Sequence, residues 1–206
     1  MKIVLLGAPG CGKGTQAEKI SKEYKIPHIS TGEIFRDNIQ RKTPLGVQID
    51  ELIRAGNFCP DELTIEIVKD RLSKPDCQNG YLLDGFPRNL VQAKALKEFE
   101  KVDKVINIEI DFSLVETRIT GRRTCSKCGK GYHILAIGNQ TTCSQCGGLL
   151  VVRKDDNVES VKTRLKVYKE QTEPLIGFYK NENLLVSVDG NKEIDEVFSQ
   201  IRKVLG

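Results

Sequence analysis

The sequence predicts an α/β fold, a parallel sheet of about five strands with helices on both faces and two inserts. Three observations carry this expectation. A glycine-rich stretch, residues 7–15, stands between a short apolar run and a helical pattern. Apolar, partly β-branched runs of strand length then alternate with amphipathic stretches along the rest of the chain. Two segments, 30–59 and 122–156, break that alternation.

Residues 3–6, Ile-Val-Leu-Leu, read as a short buried strand. The loop that follows is Gly7-Ala8-Pro9-Gly10-Cys11-Gly12-Lys13-Gly14-Thr15, and a helical pattern runs from 16 to 24. Strand, glycine loop and helix form the setting in which a glycine motif binds phosphate. The glycines let backbone N–H groups point inward, and no Cβ blocks the approach. The helix dipole and the Lys13 charge add to that field. A plain turn needs one or two glycines and has no use for a lysine and a threonine. Gly14 stands directly after Lys13, where the general pattern has Ser or Thr, and Thr15 follows.

Further strands are expected at 28–30, 81–83, 105–110 and 184–188. Helices are expected at 62–72, 91–99, 113–119, 158–179 and 194–204. Ligands in such sheets bind beyond the carboxyl ends of the strands. Gly7, Ser30 and Asp84 lie at or just past strand ends, so they should converge there.

The first insert, 30–59, is helix-rich but broken at Thr43-Pro44 and at Ala55-Gly56-Asn57. The second has almost no helical signal and carries Cys125-x2-Cys128, fourteen residues, then Cys143-x2-Cys146. Two such pairs offer four thiolates at the corners of a tetrahedron, the geometry of structural zinc. Gly129 and Gly147-Gly148 follow the pairs, and glycine suits a tight metal-binding turn. Four reduced cysteines in a loop, or two disulfides, are the alternatives. A closed set of four thiolates makes the metal structural rather than catalytic, and it supplies folding energy to an insert with few large apolar groups. His133 is a spare donor that four cysteines make unnecessary. Cys11, Cys59 and Cys77 read as small side chains of no special role, although Lys13 and the helix start beside Cys11 favour a reactive thiol.

With 206 residues, one core with small inserts is expected. A net charge of +4 suits small polyanions and is too mild to argue nucleic-acid binding alone. The apolar N-terminal run is too short for a signal peptide or membrane span, so a cytoplasmic protein free of membranes is expected. Seven cysteines are an odd number, and in a reducing compartment they do not read as disulfides.

Gly-x-Pro-Gly-x-Gly-Lys-Gly-Thr resembles the loop of the adenylate kinases and their nucleoside monophosphate kinase relatives. Ser30-Thr31-Gly32-Glu33-Ile34-Phe35-Arg36 resembles the start of their AMP-binding segment. Gly80-Tyr81-Leu82-Leu83-Asp84-Gly85-Phe86-Pro87-Arg88 resembles the segment with the metal-proximal Asp and a phosphate-clamping Arg. Gly121-Arg122-Arg123, then Arg153-Lys154-Asp155-Asp156 and Arg164, resemble the two ends of a lid and the helix behind it. The resemblance spans essentially the whole chain and is similar to the bacterial type with a zinc-stapled lid. It implies a P-loop kinase with three parts: a core at 1–29, 60–121 and 157–206, an NMP-binding insert at 30–59, and a zinc lid at 122–156.

The same resemblance implies the reaction ATP + AMP ⇌ 2 ADP, with Mg2+, in a monomer. Lys13 would hold the β- and γ-phosphates of ATP, with Gly10, Cys11, Gly12, Gly14 and Thr15 around them. Arg36 and Arg88 would clamp the AMP phosphate, where a planar fork suits bidentate contacts. Arg122 and Arg153 would come down with the lid onto the transferring group, and Arg164 would approach from the helix behind. Asp84 would hold magnesium through water. Asp155 and Asp156 either pair with core cations or form a solvated turn. Thr31 and Gln92 match positions that read adenine. Asn57, Phe58, Cys59, Gly85, Phe86 and Pro87 would line the acceptor site, and Gly131, Tyr132 and Lys192 the donor adenine. Glu33 stands where aspartate is more usual. A kinase for UMP, CMP or GMP is one alternative. A P-loop protein with a nucleic-acid-binding zinc ribbon is another, which the lid's sparse basic and aromatic residues argue against. Gly56 and Gly121 are expected beside hinges because they relax backbone limits.

Overall fold

The computed structural model describes all 206 residues. The chain begins with β1 (Lys2–Gly7), α1 (Lys13–Tyr24), β2 (His28–Ser30), α2 (Thr31–Gln40), α3 (Pro44–Ala55) and α4 (Asp61–Leu72). It continues with β3 (Tyr81–Asp84), α5 (Leu90–Phe99), β4 (Lys104–Glu109), α6 (Val115–Thr120), β5 (Arg122–Cys125), β6 (Gly131–His133) and α7 (Ile134–Ile137). It ends with β7 (Leu150–Val151), α8 (Val158–Val167), α9 (Pro174–Asn181), β8 (Leu185–Asp189) and α10 (Ile194–Leu205).

Five strands form one parallel sheet, as the alternating pattern predicts, and their order is β2-β3-β1-β4-β8. β1 is central, and its apolar run serves both faces. Val4 and Leu6 join one buried cluster with Leu83, Phe86 and Leu175. Ile3 and Leu5 join the other with Ile20, Ile106 and Ile201. A central strand with helices on both sides has no solvent face, so no polar residue interrupts it. The register brings Leu5 level with Asp84 and Ser30 level with Asp84, so the ends of β1, β2 and β3 open onto one crevice.

The helical insert breaks where its sequence says it should. Ser30 caps α2 by accepting from Glu33 N–H, and Thr43 caps α3 by accepting from Gly46 N–H with Pro44 in the first turn. Gly56 ends α3 at φ 83°, where an L side chain is disfavoured.

Two expectations need correction. The pattern from 158 to 179 is not one helix. Pro174 has no N–H, and its ring would clash with the preceding turn of an α-helix. The chain passes through a π-turn, Tyr168–Thr172, with Glu173 N–H bonding Tyr168 O at 2.9 Å, before α9 starts on Pro174. The second insert is also more regular than its sequence suggests. β6, β5 and β7 make a small antiparallel sheet, and α7 adds one helical turn.

Candidate functional site

The glycine loop is built as a cradle. Gly10 and Gly12 sit at φ 78° and 94°, and Gly12 caps α1 without any side-chain bond to the helix's free N–H groups. Those donors face the loop opening, beside exposed Gly14 and Thr15. Lys13 Nζ folds back to donate to Gly7 O at 2.7 Å and Ala8 O at 2.9 Å. Cys11 is buried beneath the loop, its Sγ where a Cβ on Gly7 would come and 3.5 Å from Lys13 Nζ.

Asp84, at the end of β3, lies 3.4 Å from His28 Nε2. Burial raises its carboxyl, but His28, Lys13 and Arg88 outweigh this and hold it below the usual carboxylate range. Burial likewise lowers His28, but Asp84, Glu33 and Glu18 together raise it above the usual histidine value. Nothing in the local sequence around His28 marks this pairing.

Thr31, Phe58, Cys59, Gly85, Arg88 and Gln92 line one small cavity between the helical insert and the core. Thr31 Oγ1 donates to Gly85 O at 2.8 Å. Gly85, at φ 80°, leaves room for Thr31 and the Arg88 guanidinium, which a Cβ would crowd. Arg88 lies over the Phe58 ring, 4.8 Å from its centre, and donates to Gly85 O. Phe86 is buried in the core, and its peptide bond to Pro87 is cis. Both ends of the Gln92 amide are engaged: Oε1 accepts from Arg88 N–H, and Nε2 donates to Asp61. Asp61 also takes the Asn89 amide. Asp61, and the cavity-lining Phe35, Ile53 and Thr64, escaped the sequence reading. Phe35 and Ile53 carry a usable signal, apolar positions on the core-facing side of α2 and α3.

The guanidinium groups converge. Asp156, with no side-chain exposure, pairs with Arg122 Nε at 2.7 Å and with Arg164 at 3.4 Å. Asp155 pairs with Arg164 and also faces Arg36, Arg122 and Arg153. The two acids are therefore buried partners of cations, Arg164 on α8 and Arg122 on β5, and not a solvated turn. Arg153 donates to Thr124 Oγ1 at 2.8 Å. Burial first, then their cationic neighbours, push Arg36, Arg88 and Arg153 below the ordinary arginine value. Arg36, Arg88, Arg122, Arg153, Arg164 and Lys13 outnumber Asp84, Asp155 and Asp156. Such a surplus at low dielectric matches a ligand with several negative charges.

The four lid cysteines come together. Their Sγ atoms all lie within 4.8 Å of one another, with Cys125–Cys146 at 3.5 Å and Cys128–Cys143 at 3.6 Å. A disulfide needs about 2.05 Å. Tetrahedral zinc with bonds of about 2.3 Å needs sulfurs about 3.8 Å apart, so the spacing fits the metal. Lys127 and Cys128 N–H point at Cys125 Sγ, and Gln145 N–H points at Cys143 Sγ. Gly129 and Gly147 take φ 76° and 71° in the two turns. Gly148 passes so close to Cys125 Sγ that a Cβ would clash. His133 takes no part: its Nδ1 accepts from Leu135 N–H, and its Nε2 faces Thr117 O. Its ring explains Gly121, which has an ordinary helical φ of −75°, so backbone freedom is not the reason for that glycine. The imidazole occupies the space a Cβ would need.

Gly131, Asn57 and Lys192 are exposed. Tyr132 turns its hydroxyl to the cysteine cluster, 3.1 Å from Cys143 Sγ. No helix is long and apolar enough to cross a membrane.

A family model described as "Adenylate kinase" matches residues 5–184. The chain is 55% identical to the adenylate kinase of Clostridium tetani and 54% identical to that of Clostridium acetobutylicum, covering 100% of this chain and 99% of each relative. It is 52% identical to the adenylate kinase of a Thermoanaerobacter species, over 100% of this chain and 98% of that one. Because that family model spans most of the chain and these relatives match all of it at more than half identity, the chain belongs to the adenylate kinase family.

Proposed function

We propose that the chain transfers the terminal phosphoryl group of ATP to AMP, reversibly, giving two ADP. The observation that carries this reading is the convergence of five arginines and Lys13 on the crevice where β1, β2 and β3 end. Phosphoryl transfer asks little covalent work of a protein. Charge spread over in-line oxygens must be held in place and neutralised.

In this reading Lys13 and the N–H groups of the loop hold the donor phosphates. Arg36 and Arg88 hold the acceptor phosphate. Arg122, Arg153 and Arg164 stabilise the transferring group. Asp84, kept ionised by its neighbours, and the Thr15 hydroxyl are hard oxygen donors that suit Mg2+, which supplies charge neutralisation when bound. The four thiolates would hold one structural Zn2+. Thr31 and Gln92 sit in the acceptor cavity, with the Gln92 amide oriented by Asp61. The enzyme works as a cytoplasmic monomer, on nucleotides alone.

A coupled assay with ATP and each of AMP, GMP, CMP and UMP tests the reading. AMP should be the best acceptor by a wide margin in kcat/KM. Preference for UMP or CMP would make the chain a kinase for another monophosphate, and no turnover with any acceptor would remove the enzymatic reading.

A further inference from the structure

The two cysteine turns of the lid are built alike but are not equally supplied with hydrogen bonds. Cys125 Sγ receives two backbone N–H groups, from Lys127 at 3.4 Å and Cys128 at 3.5 Å. Cys143 Sγ receives Gln145 N–H at 3.4 Å and, from outside its own turn, the Tyr132 hydroxyl at 3.1 Å. That hydroxyl is itself fixed. It accepts Ser144 N–H at 3.1 Å and lies 3.0 Å from Ser144 Oγ. A thiolate is an acceptor only, so the phenol proton is the group that can be shared with it.

We infer that Tyr132 is a positioning residue of the metal centre: its hydroxyl orients Cys143 as a ligand and ties the second cysteine turn to β6. The inference rests on the reading of the four cysteines as a zinc site. It also carries a consequence for the lid. β6 pairs with β5, Tyr132 opposite Arg123 and His133 opposite Arg122. β5 begins with Arg122 and ends with Cys125. Metal ligands from both turns are thereby linked to the strand that presents Arg122 to the crevice. Groups that hydrogen-bond metal ligands from outside the first set fix their orientation, and losing one weakens metal binding by about 10- to 100-fold. The ring faces Lys130, whose Nζ lies 5.6 Å from its centre, so ring and hydroxyl can be tested separately.

The test compares wild type, Tyr132→Phe and Lys130→Ala in the full chain. Zinc affinity is read by competition with a chromophoric chelator. The Co2+-substituted proteins are read by their thiolate-to-metal charge-transfer bands. Tyr132→Phe keeps the ring and removes one oxygen, so the fold should survive. It should weaken zinc by about tenfold or more and shift the Co2+ band, because the sulfur that loses its donor becomes a stronger electron donor. Lys130→Ala should change neither. Unchanged zinc affinity and an unchanged Co2+ band in Tyr132→Phe, beside a zinc-binding wild type, would overturn the inference. Failure of wild type to bind zinc would instead remove the metal reading beneath it. Should Tyr132→Phe fold poorly, Ser144→Pro deletes the N–H that holds the hydroxyl and should weaken zinc in the same direction; no weakening there also overturns the inference.

Discussion

Lys13 ties its own loop together in this structure, and the proposed function gives it the donor phosphates. Its bonds to Gly7 O and Ala8 O join a flexible side chain to a loop, so their loss should cost little stability. The proposed role of its charge, on the transferring group, is another matter. Lys13→Ala should lower kcat/KM by about 100-fold or more, the scale of removing one preorganised transition-state contact, while the melting temperature stays nearly unchanged. Turnover within about tenfold of wild type would contradict the role. The His28–Asp84 pair makes a prediction about pH. His28 is raised above 6.5, so its contribution to stability is full below that value and is lost as pH rises through the folded value. Asp84 is lowered below 3.8, so its contribution is full above that value and is lost as pH falls through the folded one. Both act fully only between these limits. Urea unfolding should show His28→Gln more destabilised, relative to wild type, at pH 5.5 than at pH 8.5. An equal or larger difference at pH 8.5 would exclude the pair as a source of stability. The residue types at these positions were legible, but their partners were not. Asp61 holding Gln92, Asp84 meeting His28 and Asp155 meeting Arg164 are pairings made by the folded chain. Local pattern sets none of them.

At the scale of elements, legibility followed the source of the structure. α2 and α3 are set by local chemistry, Ser30, Thr43-Pro44 and Gly56, and the sequence shows where each stops and starts. The central strand β1 is apolar on both faces and stands out for that reason, whereas β2, His-Ile-Ser, and β4, with its buried Asn107, are less plain. The lid strands are two to four residues long and have no apolar alternation. Their pairing depends on four sulfurs brought together across the loop, so the cysteine spacing revealed the site while the sheet stayed hidden. The break between α8 and α9 leaves one sign, Pro174, inside an otherwise continuous amphipathic pattern. A lid held this way should depend on its metal. Purified protein should contain one zinc per chain, measured by elemental analysis. Cys125→Ala should release it and lower the melting temperature, with hydrogen exchange in 122–156 rising before that of the core. Absence of zinc together with an unchanged melting temperature would remove the metal from the account.

Across the whole molecule, the helical insert and the lid both lie against the core. Gly56 packs on Ser160 and Arg164 of α8, and Asp155 and Asp156 bring the lid's end onto Arg164. Arg36 of the insert shares neighbours with Arg122 and Arg153 of the lid. One crevice is thus lined by cations from three parts of the chain. Exclusion of water from such a crevice is what separates a kinase from an ATPase. We propose that two nucleotide sites meet there, end to end at their phosphates. A mimic that joins two adenosines through five phosphates should fill both at once, with the second half binding at a high effective concentration. Calorimetric titration should find one mimic per chain, bound at least about a hundredfold more tightly than ATP alone, and displaced by ATP and AMP together more readily than by either. A mimic that binds no more tightly than ATP would contradict the two-site account.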